Sequence, residues 1–236
     1  RPAPDTPKRQ TSIRMSVGGF QLGSGMTVAF VSDKSAPQVS VTVRYGVGSL
    51  ADPPGQEGMA HLAEHLMFEQ IYKDKPLGVH LDEVASFDNA FTSLTETVYV
   101  SKAPAVDLAD LFELEAARLA LRCQGLADDV FVRERAVVAN EARDGAESDA
   151  ARTALYRGIY GDTHPYARPV AGTPASLSKI EKADVCAFID KYYTPANAVV
   201  VVSGPVTDAD VDDALSKMLG RLPARSGAKP TTAPAG

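Results

Sequence analysis

The stretch Gly58-Met59-Ala60-His61-Leu62-Ala63-Glu64-His65-Leu66-Met67-Phe68-Glu69 decides how the rest of this chain is read. Met59, Leu62, Leu66, Met67 and Phe68 surround a His-x-x-Glu-His pattern, and no Pro or Gly follows Gly58, so the spacing predicts a buried helix. At about 100° per residue, His65 lies roughly 40° round from His61, and Glu64 about 60° to the other side. The three polar side chains therefore share one face. Two imidazoles one turn apart can chelate a zinc ion, and the carboxylate beside them can reach a water on that ion. A single histidine on an apolar helix would read as an ordinary core residue. Here the chain has only four His, and two of them bracket a Glu at this spacing. Catalytic zinc takes three protein ligands and leaves a position open for water, so a third ligand must come from elsewhere.

The next polar pattern of this kind lies on a helix predicted from Asp128 to Asp144, with Val130, Phe131, Val137 and Val138 on its apolar side. Glu134 and Glu141 are close to two turns apart on it and point the same way. Two carboxylates on a half-buried face are costly unless a cation sits there. Taken alone the pair also fits a solvated acidic face; beside the His-x-x-Glu-His helix it favours a metal.

These residues carry a resemblance. The chain is similar to the N-terminal, catalytic half of the pitrilysin/insulysin family of zinc peptidases, which includes the mitochondrial processing peptidases. That family's pattern is His-x-x-Glu-His followed, seventy-odd residues later, by a ligand Glu in a Glu-Arg-x-x-Val-x-x-Glu-like segment; Glu134-Arg135-Ala136-Val137-Val138-Ala139-Asn140-Glu141 fits it. Asn89-Ala90-Phe91-Thr92 resembles the family's edge strand, which pairs with substrate backbone. His164-Pro165-Tyr166, Arg168-Pro169 and Gly172-Thr173 resemble its loop after the catalytic helices, and Tyr192-Tyr193-Thr194-Pro195-Ala196-Asn197-Ala198 the entry to its last strand. The resemblance runs from about Val17 to Leu222. It implies that His61, His65 and Glu141 bind Zn2+, that Glu64 is the general base with Glu134 a supporting acidic residue, and that Asn89, Ala90, Phe91 and Thr92 bind peptide. It also implies a clamshell closed by a second homologous half, in the same chain or as a partner subunit, which brings an Arg and a Tyr to the reacting carbonyl. The expectation is that this chain stops where the first half stops, so that activity needs the second.

The remaining sequence bounds these readings. At 236 residues with 44% hydrophobic content, the chain can bury a sizeable core. A net charge of -6 and a pI near 5.3 argue against a nucleic-acid groove. No apolar run reaches the length of a membrane span. Arg1 to Arg14 reads as a flexible arm, residues 15–222 as the metallopeptidase domain, and 223–236 as a linker-like tail. Strands are expected at Met26–Val31, Val39–Tyr45 (its antiparallel neighbour), Asn89–Thr92, Thr97–Ser101 and Ala198–Val202. Helices are expected over Leu77–Phe87, Pro104–Arg122 (terminated by Gly125), Ala151–Tyr160, part of Ser176–Tyr193 and Thr207–Leu222, with Tyr72–Pro76 an exposed turn. The long helix should bury Leu108, Leu111, Phe112, Leu114, Leu119 and Leu121. This is an α+β fold, a mostly antiparallel or mixed sheet covered by helices.

Cys123 and Cys186 read as two buried free thiols, with one disulfide as the alternative, and are too few for a cysteine zinc site. His80 and His164 receive no metal role. Two rival functions stay open: a non-catalytic peptide-binding or scaffold subunit, and a zinc hydrolase acting on a small substrate. The start at Arg1 is expected to follow removal of a signal peptide, a transit peptide or other upstream sequence, with bacterial export favoured over an organelle.

Overall fold

The computed structural model describes residues 17–218 and 222, apart from the side chains of 146–149 and 217–218. The expected arm 1–14 and tail 223–236 lie outside the described residues. In chain order, β1 (Val17–Gln21), β2 (Thr27–Ser32) and β3 (Val39–Tyr45) precede the motif helix α1 (Met59–Leu66). A short hairpin of β4 (Ile71–Tyr72) and β5 (Lys75–Pro76) leads into α2 (Leu77–Val84), β6 (Phe87–Thr92) and β7 (Thr97–Ala103). Then come α3 (Leu108–Leu121), α4 (Asp128–Asp144), α5 (Ala146–Tyr160), α6 (Pro174–Leu177), α7 (Lys182–Tyr192), β8 (Ala198–Gly204) and α8 (Asp208–Met218).

Six strands form one sheet in the order β1-β2-β8-β3-β7-β6, in which β2 and β8 run parallel and the other neighbours antiparallel. The α+β expectation is met. One face of the sheet is dry: Val41, Val43 and Tyr45 of β3, Tyr99 of β7, and Val200 and Val202 of β8 are at most 2% exposed. They join a core with Met59, Leu62 and Leu66 of α1, Leu111 and Phe112 of α3, and Val185 and Ile189 of α7. Each such side chain contributes about 1.5–3 kcal/mol by leaving water. The opposite face, with Thr42, Arg44 and Val201, stays partly open.

Several boundaries differ from expectation for identifiable reasons. β3 is not the neighbour of β2: β8 lies between them, with Val28 opposite Val200 on one side and Val43 opposite Val200 on the other. The unbroken Val199–Val202 run suits a central strand with apolar side chains on both faces. β1 went unforeseen because Gly18 and Gly19 weaken the strand signal; Gly18 is needed there, since a Cβ would fall 2.2 Å from the Phe30 ring. α2 stops at Val84, three residues before Phe87, because Ser86 is already bonded to Lys102 by its N–H, and Phe87 begins β6. α3 begins only at Leu108, after a 3-10 turn over Ala105–Asp107, and ends at Leu121 as Arg122 turns to φ 51°. α5 starts earlier than Ala151, and Val137 is 37% exposed, off the buried stripe that Phe131 and Val138 form. The expected Tyr72–Pro76 turn is part of the β4–β5 hairpin, which begins at Ile71, and the closing helix is described only to Met218.

The expectation of two free thiols is corrected: Cys123 and Cys186 form a disulfide across a separation of 63 residues. It joins the end of α3 to α7, and Arg122 adds an ion pair to Asp190 at 2.6 Å across the same junction.

α1 is only eight residues long, too short to hold itself in water. Its start is gripped by Asp52, 3% exposed, whose two carboxylate oxygens accept the N–H groups of Gly58 (2.8 Å) and Ala60 (2.9 Å). These are donors that a buried helix start leaves without partners. Gly58 enters the helix at φ 95°, and a Cβ there would meet the Ala171 carbonyl at 2.7 Å.

Burial pushes the Asp52 carboxyl up from 3.8 to about 7, against the pull of the two N–H donors. A carboxyl raised by folding contributes stability that is complete below its unfolded value of 3.8 and is lost as pH rises through about 7. Asp52→Asn lacks this titration. Urea midpoints taken from about pH 5 to about pH 8 should show the parent's advantage over the variant shrinking as pH rises. A constant advantage would refute the buried, protonatable state of Asp52.

Candidate metal centre

α4 crosses α1 so that one carboxylate meets both motif histidines. Glu141 Oε2 lies 3.6 Å from His61 Nε2 and 3.4 Å from His65 Nε2. The donor atoms of these three residues all fall within 4.8 Å of one another. Such separations are long for hydrogen bonds but match the edge of a tetrahedron around an ion held at about 2.0–2.1 Å, which is roughly 3.4 Å. The donor set, two imidazoles and a carboxylate, is one that zinc takes in open sites. The side chains of His61 and His65 are 18% and 19% exposed and that of Glu141 is 48% exposed, so the cluster opens to solvent on its Glu141 side.

The surrounding groups prepare both rings. His65 Nδ1 faces Glu134 Oε2 at 3.3 Å, a contact that a proton on Nδ1 satisfies, while its Nε2 faces Glu141. Arg133 donates from Nε to Glu134 (2.9 Å) and from its terminal nitrogen to Glu69 (2.5 Å). Burial, then the charge of His65, pushes His61 down to about 4, so its imidazole is neutral at ordinary pH, as a metal ligand must be. His61 Nδ1 is buried and has no partner among the described residues.

Glu64, 7% exposed, stands on the same face of α1. Burial raises its carboxyl, and a 2.5 Å hydrogen bond from the Thr92 hydroxyl to Oε2 opposes that rise. Asn89, Ala90, Phe91 and Thr92 all lie on β6, the last strand of the sheet, where β7 is the hydrogen-bonded neighbour. Ala90 and Thr92 are half-buried, while Asn89 and Phe91 are exposed. The cluster sits between two cavities. One, of about 720 Å³, is lined by Phe91, Thr92, Tyr156, Tyr166 and Val170 together with His61 and Glu64. The other, of about 490 Å³, is acidic, with Glu69, Asp88, Glu134 and Glu141.

All five residues expected at the metal and base are thus brought together, and the four expected on the edge strand lie beside them. The remaining histidines have ordinary partners: His80 Nε2 lies 2.9 Å from the Tyr72 carbonyl, and His164 Nδ1 accepts the Tyr166 N–H. Three supporting groups escaped the sequence reading. Asp52 stands too far before the helix for a capping motif. The Thr92 side chain was counted only through its strand. Arg118, 1% exposed, bonds the Met67 carbonyl at the end of α1 (3.2 Å) and both oxygens of buried Glu115, and lies over the Tyr99 ring at 4.2 Å. Its i,i+3 spacing from Glu115 is the one signal that could have found it.

Comparison with known proteins agrees with this geometry. Residues 27–173 match the family described as Insulinase (Peptidase family M16), and residues 179–236 match Peptidase M16 inactive domain. An uncharacterised zinc protease of Mycobacterium bovis is 33% identical over 189 residues, covering 78% of this chain and 42% of its own length. The crystal structure of a protease from Helicobacter pylori superposes with a TM-score of 0.78 at 27% identity, over 93% of this chain and 54% of the other. The first half of the periplasmic protease PqqL from Escherichia coli gives 0.80 at 20% identity, over 92% of this chain and 48% of the other, a likeness of fold. The chain therefore spans about half the length of the relatives it matches. With well over half its residues matched by the family description and a third shared with the mycobacterial relative over most of its length, this chain belongs to the insulinase family of peptidases, peptidase family M16.

Proposed function

We propose that this chain is the catalytic part of a zinc-dependent endopeptidase that hydrolyses extended or unfolded peptides. The observation that carries the reading is Glu141 Oε2 at 3.6 and 3.4 Å from the Nε2 atoms of His61 and His65, with Glu64 on the same helix face and a sheet edge alongside. Zinc held by His61, His65 and Glu141 would supply a Lewis acid and lower the pKa of the water in its open position. Glu64 takes the proton of the attacking water and returns it to the leaving amine. Glu134 keeps the His65 ring in the tautomer that ligation needs. Residues 89–92 offer backbone groups to a peptide that adds as a further strand, which selects extended over folded substrates.

A second homologous half would cover the cleft and bring donors for the oxyanion. The 42% coverage of the mycobacterial relative supports that requirement. The Cys123–Cys186 disulfide supports residence in an oxidising compartment, hence export.

The test is zinc content and hydrolysis of an unstructured fluorogenic peptide by the full-length protein, or by this chain mixed with its second half. About one zinc per catalytic chain and cleavage abolished by a chelator are expected. Zinc bound without cleavage in either arrangement would favour the non-catalytic peptide-binding subunit.

Glu64→Gln should retain zinc while turnover drops by about 10²–10⁴-fold; parental turnover would refute its role as base. Glu141→Ala should weaken zinc affinity at least about tenfold in competition with a chromogenic chelator. Unchanged affinity would remove Glu141 from the ligand set.

A further inference from the structure

Thr92 entered the sequence reading as one of four backbone partners for substrate, but its side chain is engaged elsewhere. Along β6 the residues alternate, with Phe87, Asn89 and Phe91 exposed and Asp88, Ala90 and Thr92 half-buried. Thr92 is the final residue of the strand, opposite Thr97 at the start of β7. Its hydroxyl donates to Glu64 Oε2 at 2.5 Å. A threonine has one hydroxyl proton, so the 3.4 Å approach to Thr97 Oγ1 cannot take the same proton. Thr97, wholly buried, gives its own proton to the Val47 carbonyl at 3.0 Å. The Thr92 proton is therefore committed to the carboxylate.

The strand end that carries this hydroxyl is itself fixed. Ser49 and Leu50 donate backbone N–H groups to the Ser93 and Leu94 carbonyls of the β6–β7 turn, at 3.0 and 2.9 Å. The same segment continues to Asp52, which grips the start of α1. Strand end, loop and helix thus form one closed circuit with Glu64 inside it. Among the described residues, no side chain donates to the other oxygen of Glu64, Oε1.

We propose that Thr92 is a positioning residue for the general base. By holding Oε2 it leaves Oε1 as the oxygen that takes the proton of the attacking water, and it ties that oxygen to the strand on which substrate pairs. β6 then does two jobs: its free edge aligns the peptide, and its last side chain, projecting from one face of the sheet, sets the base against the aligned bond. The assignment rests on the peptidase reading above.

Substitutions in the full-length protein separate it from a merely structural role. Thr92→Val keeps the branched shape and removes the hydroxyl; Thr92→Ser keeps the hydroxyl. Thr92→Val should lower kcat by about 10- to 100-fold, the range for a hydrogen bond to a charged group, with KM within about twofold of the parent and zinc stoichiometry unchanged. Thr92→Ser should recover most of kcat. An active parent with an unimpaired Thr92→Val variant would overturn the assignment alone. So would equal losses in both variants, or a rise in KM at constant kcat, which would make Thr92 a substrate contact. A zinc-loaded parent without peptidase activity would overturn the underlying reading and the assignment with it.

Discussion

The grip of one buried carboxylate on the start of an eight-residue helix is the constraint on which the site depends. His61, Glu64 and His65 are useful only if α1 holds a fixed rotation about its axis, since about 100° separates one residue from the next. A helix this short has little stability of its own. Asp52 occupies the N–H groups of Gly58 and Ala60, and Arg118 occupies the Met67 carbonyl at the other end. When Asp52 is ionised, it sets an anion at the N-terminus opposite the Arg118 cation at the C-terminus, the arrangement that the aligned peptide dipoles favour. Both are buried, so the attraction is screened less than it would be at the surface.

Buried charge of this kind has to be answered locally. Arg118 is met by Glu115, by the Met67 carbonyl and by the faces of Tyr99 and Phe68. Removing one partner of such a pair costs about 3–5 kcal/mol, far more than the pair adds over a well-packed apolar substitute. Such an arrangement contributes more to geometry than to net stability. The same holds for Glu134, whose two oxygens are divided between Arg133 and His65. Of the proposed ligands and base, His65 and Glu64 are thus each held by a second group, Glu134 and Thr92, whose own position is fixed.

Much of the site was legible because helical periodicity puts residues four apart on one face and seven apart nearly so; it paired His61 with His65 and Glu134 with Glu141, while the roles of the two glutamates came from the family resemblance. β6 and β7 were legible from alternation and the turn between them. What failed were features set by partners far away in sequence. The insertion of β8 between β2 and β3 depends on pairings across the whole chain, and the Cys123–Cys186 bond on two helix ends meeting. β1 carries two glycines whose purpose appears only against Phe30. Asp52 looks like a loop residue until the helix it serves folds back over it. The Thr92 hydroxyl could not be aimed without knowing which way the strand faces.

The place of β8 in the sheet has a consequence for the order in which the molecule can assemble. α1 and α4, which carry every proposed ligand, leave the ribosome before Ala198 does, yet β2 and β3 have no shared neighbour until β8 arrives. Until then both strands present unpaired edges, the hallmark of a slow, non-local topology that is open to misassociation. A nascent chain halted before β8 would carry all three proposed ligands on a scaffold that cannot yet close, so under the proposed function metal uptake would belong to the end of folding and not to its beginning.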